Sequence, residues 1–146
     1  MFRQVSAALA ATLFLAGANV SVADDHPYSE GPVVNVSRIR TAEGKFDEYM
    51  DWIATTWKKL QEESKKKGYI LSYEVLVAEP RGPDDADVLL VIRYKNWAAL
   101  DGQIAKGDEL ASAVEGSVSA ANKSQAERDK IRRVLGSQTV QQFILK

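Results

Sequence analysis

Six side chains in this sequence combine a useful chemistry with a position that could use it: Asn35, Trp52, Tyr73, Arg93, Tyr94 and Trp97. Asn35, Tyr73 and Arg93, with Arg38 and Glu74, interrupt stretches otherwise rich in Val, Ile and Leu. Polar groups on a buried sheet face must be paired, and several converging there can orient a ligand. The same residues could equally form an arginine–glutamate network at a strand edge or subunit interface. Three tryptophans could supply an aromatic wall. Trp57 falls on a helical apolar stripe and reads as core. Trp52 lies off that stripe and Trp97 opens a helix, which suits both to a pocket or an interface.

Other chemistries are narrowed by composition. The chain has no cysteine, which removes thiol nucleophiles, cysteine-ligated zinc, iron–sulfur clusters and covalently attached c-type haem. It contains no Ser-His-Asp arrangement, phosphate loop or dinucleotide fingerprint. Glu79, Asp84, Asp85 and Asp87 cluster without EF-hand spacing and read as a solvated turn rather than a calcium site. No cofactor is called for.

The N-terminus has the order of a secretory signal. Arg3 is the only charge before Asp24, an apolar run follows from Val5 to Ala18, and Ser21-Val22-Ala23 puts small residues at a cleavage site. The run is shorter than the ~18–20 residues of a membrane span. The expectation is therefore a signal peptide over residues 1–23, cleavage after Ala23, and a periplasmic or secreted protein with no membrane association after cleavage. Removing residues 1–23 leaves 123, one domain's worth, and takes one of nineteen basic residues, so eighteen face twenty acids for a net −2. A chain so near neutral has no electrostatic footprint for nucleic acid. The Lys65-Lys66-Lys67 run reads as the only basic cluster, complementing a helix C-terminus.

Cleavage there would also expose Asp24-Asp25-His26, with the only histidine in third place. A free α-amine, two deprotonated amides and an imidazole give four nitrogens in a plane, the geometry Cu(II) and Ni(II) prefer.

The elements that must position these groups follow from periodicity. Residues 24–32 read as a flexible leader and 33–146 as the domain. A β-branched strand is expected over 33–40 and a long helix over 45–67, whose stripe is Phe46, Met50, Ile53, Trp57, Leu60 and Ser64. Gly68 stands where the helix should stop. Strands at 70–77 and 88–94 flank a proline-rich turn. Asn96 can cap a short helix at 97–100, a helical region broken near Gly116 runs to Leu135, and a last strand covers 140–145. The order β-α-β-β-α-β favours an α+β, ferredoxin-like fold with an antiparallel sheet ordered 4-1-3-2 and helices on one face. Both parities of the third strand are apolar, so the bare sheet face should be covered by a second copy in a homodimer.

The first strand, then Glu43-Gly44-Lys45-Phe46-Asp47-Glu48-Tyr49, the hairpin, and Arg93-Tyr94-Lys95-Asn96-Trp97-Ala98-Ala99-Leu100-Asp101 together resemble the dimeric α/β-barrel superfamily. The likeness is one of layout and loose motif and spans most of the chain after residue 23. It implies a dimeric barrel, and among its branches are cofactor-free antibiotic-biosynthesis-type monooxygenases, muconolactone-isomerase-like enzymes, haem binders and members without known activity. The haem branch typically uses a proximal histidine, whereas His26 lies in the leader. The monooxygenase branch implies an apolar pocket for a polycyclic phenol, with the six residues above and Trp57 as lining candidates. The expected ligand is a small, largely apolar organic molecule, and the competing reading is a non-catalytic homodimer. No residue here matches a family catalytic position, so no catalytic role is carried over.

Overall fold

The structure, a computed structural model, describes residues 25–146. The expected signal peptide, its cleavage site and Asp24 lie outside the described residues. Strand β1 (Tyr28–Thr41) leads into helix α1 (Phe46–Trp52), a π-helical turn (Ile53–Trp57) and α2 (Lys58–Lys66). Strands β2 (Ser72–Val77) and β3 (Val88–Tyr94) form a hairpin. A 3₁₀ turn (Trp97–Leu100), helices α3 (Gln103–Glu115) and α4 (Val118–Arg128), and strand β4 (Arg132–Leu145) complete the chain. The sheet is antiparallel in the order β2-β3-β1-β4, the expected 4-1-3-2 arrangement.

Register explains how one strand can be apolar on both sides. Val88, Leu90 and Ile92 pack against Ile39, Tyr49, Ile53 and Trp57 beneath α1 and α2. Leu89 and Val91 alternate to the other face. There they lie beside Leu76, Val36 and Val34, with Val140 across from Val34. No helix among the described residues packs on that second face in the way α1 and α2 cover the first.

The long helix forms as expected, but with its phase altered. Its buried residues are Tyr49, Ile53, Trp57, Gln61 and Ser64. Four-residue steps outrun a 3.6-residue period, and the π turn absorbs the excess so that both halves keep one face on the sheet. Tyr49 therefore takes the core position that the sequence stripe gave to Met50. Thr55 donates its hydroxyl to the Asp51 carbonyl at 2.7 Å inside this turn. Gly68, at φ +73, ends α2 in the left-handed region. Asn96 caps the 3₁₀ turn as anticipated, its carboxamide oxygen accepting from the Ala99 N–H.

Three expectations need correction. Residues 28–32 are not a flexible leader: β1 begins at Tyr28, which stacks on Phe143 with ring centroids 4.7 Å apart. The edge of β4 supplies backbone partners, and Pro32 is tolerated at an irregularity in the pairing between Glu30 and Val33. The helical region stops at Arg128 rather than Leu135, because β4 begins at Arg132 and pairs along the length of β1. Gly136 is thus no helix stop. It sits at φ +137 where the pairing shifts between Arg38 and Ile39, a bulge geometry that suits glycine. Strand β2 also starts two residues later than expected, leaving Ile70 as a buried plug before it.

The acidic turn is structural. Asp84 pairs with Arg133 at 2.8 Å, Asp85 accepts from the Arg81 N–H, and Asp87 accepts from both the backbone and the hydroxyl of Thr41. No cluster of three or more His, Asp or Glu fit for a metal occurs among the described residues.

Candidate functional site

The structure scatters the six candidates. Arg93 lies on the sheet face away from the helices, where it meets Glu74 at 3.4 Å with both side chains substantially exposed. That is the arginine–glutamate pair of the competing reading, and an exposed pair contributes little stability. Tyr73 is on the helix side, edge-on to Trp57 at 5.3 Å, and its hydroxyl donates to Glu62 at 2.5 Å. Asn35 donates to the Thr139 hydroxyl at 2.8 Å, beside a Ser37–Ser137 hydroxyl pair at 2.9 Å. Trp97 is about half exposed and donates its indole N–H to the Gln141 side chain at 3.0 Å, fastening the 3₁₀ turn to β4.

Tyr94 lines the space enclosed between α2, α3 and the sheet, with Gln61, Ser64, Tyr69 and Ile92. Its volume is about 170 Å³, below the ~300 Å³ of a small-molecule pocket. This space is therefore too small for such a ligand.

Trp52 is different. It lines a groove of about 540 Å³ between α1 and α4, with Lys45, Glu48, Ser124, Glu127, Arg128 and Ile131. This volume lies within the usual ligand range. The indole is held rigidly: Tyr49 stacks on it with centroids 5.7 Å apart, and the Arg128 guanidinium carbon lies 4.2 Å from its ring centroid. Guanidinium groups favour aromatic faces in this way. Trp52 follows directly into the π turn, a local geometry common at functional sites.

The hydrogen-bonding of this cluster is incomplete. Trp52 Nε1, Arg128 Nε, and Arg132 Nε and Nη1 are buried donors without an acceptor. Buried donors are normally satisfied, so four such atoms on three neighbouring side chains mark an unusual place. Arg128 Nη1 and Nη2 reach the Ser124 hydroxyl and the Gln125 carboxamide, both neutral. Desolvation by burial lowers the Arg128 pKa; Glu115 opposes it, repulsion from Arg132 adds to it, and Tyr49 and Asp129 oppose it further.

Burial raises the Tyr49 phenol above its ordinary pKa of 10.0, with Arg132 and Arg128 pulling the other way. The unfolded chain therefore loses this proton first as pH rises. Stability conferred here is present below pH 10.0 and is lost as pH climbs towards the higher folded value. Tyr49→Phe should flatten the fall in denaturant midpoint above pH 10.0; an unchanged slope would refute this origin.

Of the six candidates Trp52 alone lines this groove, and Tyr49, Arg128 and Arg132 beside it were not among them. Residues 128–133 carry Arg128, Lys130, Arg132 and Arg133, so Lys65-Lys66-Lys67 is not the only basic cluster. That density was the available signal.

No protein-family model matches the chain, and no curated protein matches it in sequence. Among solved structures, HapK from Hahella chejuensis aligns with a TM-score of 0.52 at 14% identity, over 75% of this chain and 91% of its own. A dimeric ferredoxin-like protein from an uncultured marine organism aligns with a TM-score of 0.52 at 14% identity, over 81% and 98%. The fold is ferredoxin-like. Within the ferredoxin-like frame, the α1–α4 groove lies on the helix layer, with the sheet's opposite face free of it.

Proposed function

We propose that this is an exported homodimeric protein that binds a small, largely apolar organic molecule in the groove between α1 and α4. The observation that carries the reading is the buried, unpartnered Trp52 Nε1 beside a groove of about 540 Å³. An apolar wall with a few convergent polar groups is the usual make-up of a ligand site. Export rests on the zoned N-terminus, and it would bring with it the Asp24-Asp25-His26 terminus suited to Cu(II) or Ni(II). The homodimer rests on the apolar sheet face of Val34, Val36, Leu76, Leu89, Val91 and Val140, and on the dimeric description of one structural neighbour. In this reading Arg93 and Glu74 belong to the subunit interface rather than to the ligand.

Ser124→Phe fills the groove without touching the sheet. A small-molecule extract of the host should shift the Trp52 indole N–H signal of the unmutated protein in proton–nitrogen NMR. The same extract should leave that signal in place in Ser124→Phe. A Trp52 signal indifferent to the extract in the unmutated protein would overturn the reading.

A further inference from the structure

The charge left over in the groove specifies more about its occupant. At the rim, Lys45 pairs with Glu48 at 2.6 Å and Lys130 with Glu127 at 2.7 Å, so these charges cancel locally. Arg128 forms no such pair among the described residues: its guanidinium reaches a hydroxyl and a carboxamide, its Nε has no acceptor, and Glu115 favours its charge from beyond ion-pair distance. Behind it, the Arg132 side chain is only 7% exposed, with Asp129 no nearer than 3.7 Å and two donor atoms unsatisfied. Its guanidinium carbon lies 5.8 Å from the Tyr49 ring centroid, on the same aromatic stack. Two cations thus face one aromatic pair with less negative charge than they need, and a buried charge in that state is costly.

Tyr49 and Arg128 both lie against the Trp52 ring system, and the indole N–H is buried and unpartnered. We propose that the groove takes an organic monocarboxylate, its negative charge drawn to the Arg128 guanidinium in the groove wall and its apolar body lying along the groove towards Ile131. The proposal rests on the groove being the ligand site and names the class of ligand it selects. One negative charge suits a rim cation whose hydrogen-bond acceptors are a hydroxyl and a carboxamide rather than a carboxylate.

Two matched probes test it on the mature full-length chain: 1-naphthoate, and the neutral 1-naphthalenemethanol. Calorimetry reads affinity, and the Trp52 indole N–H signal reads location. Naphthoate should bind at least about tenfold tighter than the alcohol and move the Trp52 signal, since a hydrogen bond to a charged group is worth that much. Arg128→Gln should remove the preference for naphthoate and leave the weak affinity for the alcohol within about twofold. Should Arg128→Gln fail to fold, Arg128→Lys keeps the charge, loses the planar guanidinium fork, and should still cut naphthoate affinity severalfold. Equal binding of both probes in the groove would overturn the carboxylate class while keeping the site. If neither probe moved the Trp52 signal, the site itself would fall with it.

Discussion

Leu90→Asp will unfold the protein, whereas Leu89→Asp will leave it folded and monomeric. The two residues are adjacent in β3 and point to opposite faces. Leu90 is 8% exposed, within the cluster of Ile39, Tyr49, Ile53, Trp57 and Val88. A carboxylate there has no cationic partner, and the loss of apolar burial adds to the cost of a buried charge, several kcal/mol together. Domains of this size have only about 5–15 kcal/mol in total. Leu89 instead lies between Leu76 and Arg38 on the uncovered face. A charge there would be solvated in the monomer but buried between two copies. Circular dichroism and light scattering separate the outcomes. A folded Leu90→Asp would contradict the core assignment, and a dimeric Leu89→Asp would contradict the proposed interface.

Trp57→Ala should be the next most damaging change, costing about 3–5 kcal/mol. Trp57 is buried at the π turn where the two halves of the helix join, and it packs edge-on to Tyr73 across to β2. Truncation would open a cavity bounded by Ile53, Leu90 and Tyr73, residues of the same cluster or packed against it. Losing the wall also frees Tyr73, whose hydroxyl holds Glu62 on α2. The thermal midpoint should fall by more than about 10 °C. A fall of only a degree or two would mean that this residue is not part of the core.

The sheet was legible in the sequence because its signals are local. The β-branched run at 33–39, the turn chemistry between Pro80 and Asp85, and the apolar run at 88–92 each point to one element. The ends of β1 and β4 were not legible, because they exist through each other. Ser137, Gln138 and Thr139 show no apolar alternation, yet they pair with Ser37, Val36 and Asn35 of β1. Long-range pairing overrides weak local preference.

That misreading also hid the site. On a helix running to Leu135, Arg128 and Arg132 would stand four residues apart, an ordinary solvated face. With α4 ending at Arg128 and β4 starting at Arg132, both guanidiniums turn towards the α1 aromatics instead. Trp52 was legible for the opposite reason: falling off the core stripe, it needed another role. Asn35, Tyr73, Arg93, Tyr94 and Trp97 satisfied the same sequence criterion, but each either pairs locally or lines the small enclosed space. Only three-dimensional pairing distinguishes a polar strand residue that has found a partner from one that has not.

The central claim is a homodimer that carries one small molecule per chain. Native mass spectrometry of the protein recovered from its own host tests it in a single measurement. The expected spectrum shows twice the mass of a chain beginning at Asp24, with a small-molecule adduct on each subunit that collisional activation releases. A monomeric, adduct-free chain would contradict both the interface and the groove.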